Sequence, residues 1–320
     1  MQDRMQSRNR LVNLAASALV DPLFHLFLFA ARTFRDRAQG HLIAEDVVGA
    51  FFALAPAYLK AIRENMGVVL GLPWDHPETE RLARRMARNH AYAWVDFFFF
   101  GQRPAAEALA QFDHLEGAEH LEQALENGAI LLTAHAGNFE LGGLLLREKG
   151  LRIHTVYKPD RFGSVERLRN QVRAQGGVVG VPVDGIGFST LPLLELLREG
   201  RTVGMQGDRD FNLTGLPLPF LGREAFFPKG PWELAAMTGA PVIVSFFRSD
   251  ERHRFHATFY EPIHVRGERG ARQASIVEGM TRYVAILEDL VRRHPDQWYC
   301  FYPFWDDPLR KALSGPAPAR

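Results

Sequence analysis

Two side chains of types that move protons stand close together in His135-Ala-Gly-Asn-Phe-Glu140. Histidine has the unperturbed pKa nearest neutrality, which suits a general base, and a carboxylate can fix its tautomer and stabilise the imidazolium that forms. Five positions turn about 500° around a continuous helix, so the two would not face each other on one. The residues before His135, Ala129 to Ala134, read as a buried strand, and a helix is expected from Asn138. A turn at Gly137 could then fold His135 and Glu140 together. The plainer reading has Asn138 as an N-cap, Glu140 complementing the helix dipole, and His135 as a satisfied core histidine.

Missing motifs narrow the chemistry. The chain has no Gly-x-Ser-x-Gly elbow, no Gly-x4-Gly-Lys-Ser/Thr loop and no His-Glu-x-x-His. Its one cysteine, Cys300, rules out an internal disulfide framework and a four-cysteine zinc site. No metal or cofactor is expected. A histidine–acid pair without a side-chain nucleophile suits activation of a substrate hydroxyl for attack on an activated acyl group.

The elements that must position such a pair can be read from periodicity. The 320 residues hold 38 basic and 37 acidic side chains, a net charge of +1 that argues against a nucleic-acid binder. Only five of the basic residues are lysine, and the arginine surplus offers planar forks suited to phosphate and carboxylate. Leu11 to Ala31 is mostly apolar but carries Asp21-Pro22 at its middle, against a simple spanning helix. It reads as an interfacial helix or hairpin flanked by Arg32, Arg35 and Arg37, or as a buried core helix. Helices are expected over 42–70 and 77–100; the second ends in Phe97-Phe-Phe-Phe100, either buried all round or meeting an acyl chain. Beyond residue 112, apolar runs at 129–134, 151–157, 178–183, 202–206 and 241–247 read as strands. They alternate with helical patterns at 138–149, 164–175, 190–199, 230–239 and 271–294, which implies βαβ crossovers. The expected architecture is α/β: a helical, membrane-associating N-terminal part followed by a mainly parallel sheet flanked by helices. The divisions are 1–40 membrane-associating, 41–110 helical, 111–310 α/β core and 311–320 tail.

The stretch Ile130-Leu-Leu-Thr-Ala-His-Ala-Gly-Asn-Phe-Glu-Leu-Gly-Gly143 resembles the signature block of the lysophospholipid acyltransferase superfamily. Its His-x4-Glu spacing resembles more closely the bacterial lipid A biosynthesis (late) acyltransferase family and the related phosphatidylinositol mannoside acyltransferases. Similarity continues through Val156-Tyr-Lys-Pro159, Arg173 with Gly176-Gly177, Val203 to Asp210, Pro219 to Ala235 and Gly239 to Ile243, with Arg63-Glu-Asn65 upstream. The resemblance implies a glycerolipid acyltransferase-like fold. His135 would deprotonate an acceptor hydroxyl and Glu140 would orient it, with backbone N–H groups near Gly137 and Asn138 facing the developing oxyanion. Asn138, Lys158, Arg173, Asp208 and Lys229 are candidate substrate-binding residues. Lys158 stands where lipid A acyltransferases often have Arg. Asp208 would orient the acceptor or order the site, or simply pair with Arg209. Arg173 would contact acceptor phosphate or sugar, or lie on a solvated helix face. Lys229-Gly230 would bind an anion or start a helix. The C-terminal Trp298-Tyr-Cys-Phe-Tyr-Pro-Phe-Trp305 lacks the basic ending common in lipid A acyltransferases.

The implied partners are acyl carrier protein or acyl-coenzyme A as donor and a membrane lipid as acceptor, with the chain at the cytoplasmic face of a bacterial inner membrane. The acceptor implied first is a lipid A precursor-like glycolipid. A lysophospholipid, a phosphatidylinositol mannoside, an ornithine lipid or a secondary metabolite is open, as are a non-catalytic lipid-binding relative and a soluble thioesterase of similar fold.

Overall fold

The computed structural model describes residues 34, 36–54, 56–157, 163–182, 191–307 and 310. The apolar stretch 11–31, Arg32, Arg35 and Lys158 lie outside them. Among the described residues, no helix is long and apolar enough to cross a membrane.

Helices come first: α1 (Arg37–Leu54), α2 (Pro56–Leu70), α3 (Pro77–Phe100) and the short α4 (Ala105–Leu109). The helical stretch expected over 42–70 falls on α1 and α2. The start of α3 is well specified. His76 caps it by accepting from Glu78 N, Pro77 follows, and Glu78 and Glu80 supply negative charge to the first turn. Phe97 to Phe100 are all buried, packed with Phe34, Leu141, Val172 and Phe255. The tetrad is therefore core on every face.

The strands are β1 (Phe112–Glu116), β2 (Ile130–Thr133), β3 (Ile153–Tyr157), β4 (Val179–Pro182), β5 (Thr202–Gln206), β6 (Leu216–Phe220), β7 (Arg223–Phe227), β8 (Val242–Ser249) and β9 (Phe255–Phe259). Between and after them run α5 (Glu122–Asn127), α6 (Phe139–Glu148), α7 (Gly163–Gln175), α8 (Leu191–Arg198), α9 (Gly230–Thr238) and α10 (Arg272–Arg293). Seven strands form one sheet in the order β1-β9-β8-β2-β5-β3-β4, with β6 and β7 a separate hairpin. The run β8-β2-β5-β3-β4 is parallel throughout, and β9 turns back antiparallel on β8. Each expected strand is present, and so is each expected helix flanking them. Four strands escape the apolar-run test. Phe112-Asp-His-Leu-Glu116 in β1 is mostly polar, and β9 alternates buried and half-buried positions. The β6–β7 hairpin turns at Leu221-Gly222, both at positive φ (54° and 76°), without the Asn-Gly that usually marks such a turn.

Two buried polar anchors tie the helices together and to the C-terminal segment. Asn65 on α2 donates to Cys300 O (3.2 Å) and Tyr302 O (2.8 Å) and accepts from Phe304 N (3.1 Å). Asp96 on α3 takes a bidentate fork from Arg37 (2.6 and 2.7 Å) and a third contact from His41 Nε2 at 2.8 Å. Arg37, expected beside Arg32 and Arg35 at a bilayer, is instead spent inside the fold. Burial would raise the Asp96 carboxyl, but the hydrogen bonds and charges of Arg37 and His41 outweigh it and hold the pKa below its ordinary value. The resulting stabilisation is complete above about pH 5 and is lost as pH falls below the ordinary carboxylate pKa. Asp96→Ala should cost on the order of 3–5 kcal/mol at neutral pH, because it strands a desolvated arginine. The midpoint of urea unfolding at pH 7 checks this, and the gap between variant and wild type should narrow at pH 3.

Candidate active site

The centre is created by strand register. In the parallel pair β2–β5, Thr133 lies opposite Gln206, and Gly207 N donates to Thr133 O at 2.9 Å. Two residues past each partner, at the carboxyl ends of both strands, stand His135 and Asp208. Sites form at this edge in open parallel sheets. His135 Nδ1 lies 2.8 Å from Asp208 Oδ1, which also accepts the His135 backbone N–H at 3.1 Å. The other oxygen accepts the indole N–H of fully buried Trp298 at 3.3 Å. Asp208 is 1% exposed. Burial would raise its pKa, yet the charge and hydrogen bonds of His135, helped by Arg209, hold it below the ordinary value. An ionised carboxylate only accepts, so the proton between them sits on His135 Nδ1 and leaves the Nε2 lone pair for a substrate. His135 retains 18% side-chain exposure.

The turn after His135 is stitched on both sides. His135 O accepts from Tyr299 N at 2.7 Å, Gly137 N donates to Gln297 O at 2.8 Å, and Asn138 N donates to Phe247 O at 2.5 Å. Gly137 has φ +60°, and a Cβ there would fall 2.1 Å from Phe247 O, so only glycine fits. The N–H groups of Gly137 and Asn138, expected to face an oxyanion, are consumed by these bonds.

The remaining sequence candidates fall in different places. Glu140 does not meet His135. It takes a bidentate fork from Arg173 at the end of α7, with Nε at 2.9 Å from Oε2 and Nη2 on Oε1. Arg173 is 6% exposed, which overturns the solvated helix face, and its Nη1 is buried without a hydrogen-bond partner among the described residues. Asn138 is not open to substrate: buried, it accepts from Leu141 N and donates to Ala93 O, both at 3.3 Å, capping α6 and tying it to α3. Arg209 donates to Tyr299 O at 2.9 Å and lies over the Tyr302 ring. Lys229 precedes α9 and pairs with Glu233 at 3.3 Å.

Three features were missed by the reading of the sequence. Trp298 completes the Asp208 shell, and only its place in an aromatic-rich segment hinted at this. His90 on α3 accepts from Trp94 Nε1 at 3.1 Å. Desolvation, with the charges of Arg209 and His135, pushes its pKa down to about 3, so it stays neutral. Phe139 and Phe211 set their rings 6.1 and 6.3 Å from that of His135. Cys300 is buried, which pushes its thiol up to about 12.

Fold and site define an α/β protein with a partly exposed histidine in contact with a buried carboxylate at the carboxyl ends of parallel strands. The family model for the bacterial lipid A biosynthesis acyltransferase matches residues 24–306, and the chain belongs to that family. It is an acyltransferase. It is 24% identical over 76% of each chain to a phosphatidylinositol mannoside acyltransferase of Mycobacterium tuberculosis. It is 28% identical to that of Mycolicibacterium smegmatis, over 64% of this chain and 69% of the other. With a lipid A biosynthesis acyltransferase of Haemophilus influenzae it shares 25% over 59% and 61%. A crystal structure of the 1-acyl-sn-glycerophosphate acyltransferase PlsC from Thermotoga maritima is 16% identical, covering 79% of this chain and 99% of its own with a TM-score of 0.37.

The two carboxylates should respond differently to neutralisation. Asp208→Asn should lower kcat by about 10²–10⁴-fold, by removing the charge that holds the His135 tautomer. Glu140→Gln should register in the melting temperature, because it leaves Arg173 buried without its counter-charge. Thiol release and thermal unfolding on both variants check this.

Proposed function

We propose that this chain transfers a fatty acyl group from a thioester carrier to a hydroxyl of a membrane lipid, with His135 as general base and Asp208 as the residue that positions it. The observation that carries the reading is the 2.8 Å contact of Asp208 with His135 Nδ1, which leaves Nε2 as the proton acceptor. In the reaction, the acceptor O–H gives its proton to Nε2 as its oxygen attacks the thioester carbonyl. The tetrahedral intermediate collapses with cleavage of the C–S bond. The leaving sulfur takes the proton back from the imidazolium, so the products are an ester and a free thiol and the histidine is restored. Asp208 stabilises the imidazolium between these steps. General-base transfer contributes about 10²–10⁴-fold, and positioning supplies more.

The donor carrier is acyl carrier protein or coenzyme A. Family membership supports a lipid A precursor-like glycolipid as acceptor, at the cytoplasmic face of the inner membrane, with the apolar stretch 11–31 resting on the bilayer. Holding the site at the membrane keeps the acyl chain out of water, worth about 0.8 kcal/mol per methylene. A second reading, a phosphatidylinositol mannoside acceptor, is favoured by the mycobacterial relatives. Glu140 acts here through Arg173, bracing the start of α6.

Purified protein with a thioester donor and dispersed lipid should release thiol, and His135→Ala should slow that release by at least about 100-fold. Equal rates would remove His135 from the mechanism. Mass spectrometry of lipids from cells with and without the gene should show one acyl unit added to one lipid class, which names the acceptor.

A further inference from the structure

Acyl transfer puts negative charge on the thioester carbonyl oxygen. A fixed hydrogen-bond donor aimed at that oxygen is usually the largest single aid to such a reaction. The donors next to His135 in the chain are spent. Gly137 N goes to Gln297 O, Asn138 N to Phe247 O, and the backbone N–H of His135 to Asp208. Arg209 is turned to Tyr299 O, and its Nε is sealed in protein.

His90 on α3 holds a donor in reserve. An indole nitrogen can only donate, so the 3.1 Å contact from Trp94 Nε1 makes His90 Nε2 an acceptor. A neutral imidazole keeps its single proton on the other nitrogen, so His90 carries an Nδ1–H. Burial, with the charges of Arg209 and His135, lowers the pKa to about 3, and the ring stays neutral. Among the described residues this Nδ1–H meets no acceptor, and the nitrogen is not sealed from solvent. The packing around His90 uses only Nε2 and the ring, which lies against Tyr299 and Phe301. One tautomer is fixed, and its N–H is left over.

Three observations place this donor at the reacting centre. The His90 ring centroid is 4.9 Å from that of Tyr299, whose backbone N–H holds the His135 carbonyl at 2.7 Å. Asn138, in the turn after His135, donates to Ala93 O, less than one helical turn beyond His90. The charge of His135 is itself felt at His90.

We propose that His90 is a catalytic residue whose Nδ1–H donates to the thioester carbonyl oxygen as that oxygen becomes an oxyanion. This rests on the acyl-transfer reading above. The proton stays on Nδ1 throughout. The hydrogen bond strengthens as charge builds on the oxygen and relaxes when the carbonyl re-forms with cleavage of the C–S bond. A neutral imidazole can polarise a carbonyl in this way, and it lacks the positive charge that would draw a substrate phosphate into the same place.

The test measures thiol release by wild type and three variants. Donors are thioesters of coenzyme A and of acyl carrier protein, with dispersed membrane lipid as acceptor. In His90→Asn the amide nitrogen falls where Nδ1 was and keeps the donor. In His90→Gln the amide reaches the place of Nε2, so it keeps the acceptor for Trp94 and loses the donor. His90→Phe keeps only the ring. Removing one such donor costs about 10²–10³-fold in kcat, so His90→Gln and His90→Phe should lose that much. Their KM should stay within about threefold, as for an interaction made only in the transition state. His90→Asn should recover at least about tenfold of the loss. If His90→Phe does not fold, judged by thermal unfolding, the comparison of His90→Asn with His90→Gln decides. A kcat close to wild type in His90→Gln, or a loss confined to KM, overturns the proposal. So does a His90→Asn no faster than His90→Gln, because the role of His90 would then be to hold Trp94. If wild type turns over no thioester on either carrier, the acyl-transfer reading itself falls, and this proposal with it.

Discussion

The parallel pairing of β2 with β5 is the constraint on which the rest of this structure depends. It sets Thr133 opposite Gln206, and two residues further along each chain stand His135 and Asp208. A shift of one residue in that register would turn each side chain to the other face of the sheet and separate His135 from Asp208. The register is protected because both strands are central. β2 has β8 on its other side, β5 has β3, and Ile130, Leu132 and Val203 are fully buried. The core that looks like plain hydrophobic packing is thus also what sets the geometry of a hydrogen bond at the sheet edge.

Two carboxylates lie near the turn at Gly137, Asp208 buried and Glu140 half-buried, and each is committed differently. Asp208 receives three donors, two from His135 and one from Trp298, and remains a net negative charge beside the imidazole. Glu140 is neutralised by Arg173, a contact that ties the first turn of α6 to the end of α7. The same bidentate pattern recurs where Arg37 grips Asp96. Lysine, a point charge on a flexible stem, would not close either fork. Part of the arginine surplus is therefore internal scaffolding rather than a surface for anions.

How far the sequence could be read follows from which interactions are local. His135 was legible, because an apolar run, a histidine and a Gly-Asn turn lie next to one another. The strands at 129–134, 151–157, 202–206 and 241–247 were legible because buried parallel strands are nearly continuous apolar runs. The partner of His135 was not. Glu140 is five residues away and chemically suitable, while Asp208 is 73 residues distant and arrives only through sheet topology. The spacing singles out His135 with Glu140, whereas the carboxylate in contact with the imidazole is Asp208 and Glu140 is held by Arg173. The tyrosine and tryptophan run at 298–305 stood out as unusual, but its use depends on a contact with the far end of the chain. The amphipathic β9 and the Leu-Gly hairpin carry weak local signals because pairing, rather than propensity, makes them strands.

That distant contact also decides what the N-terminal helices are for within the described fold. Asn65 on α2 satisfies the backbone at Cys300, Tyr302 and Phe304 with one buried amide. The segment it holds supplies Tyr299 N to the His135 carbonyl, Gln297 O to Gly137 and the Trp298 indole to Asp208. An unpaired amide in this position would be costly to bury, so the clamp and the segment form together. The helices and the sheet therefore share one centre. The dyad is built by two strands, closed by the C-terminal segment, and held closed by a side chain from α2.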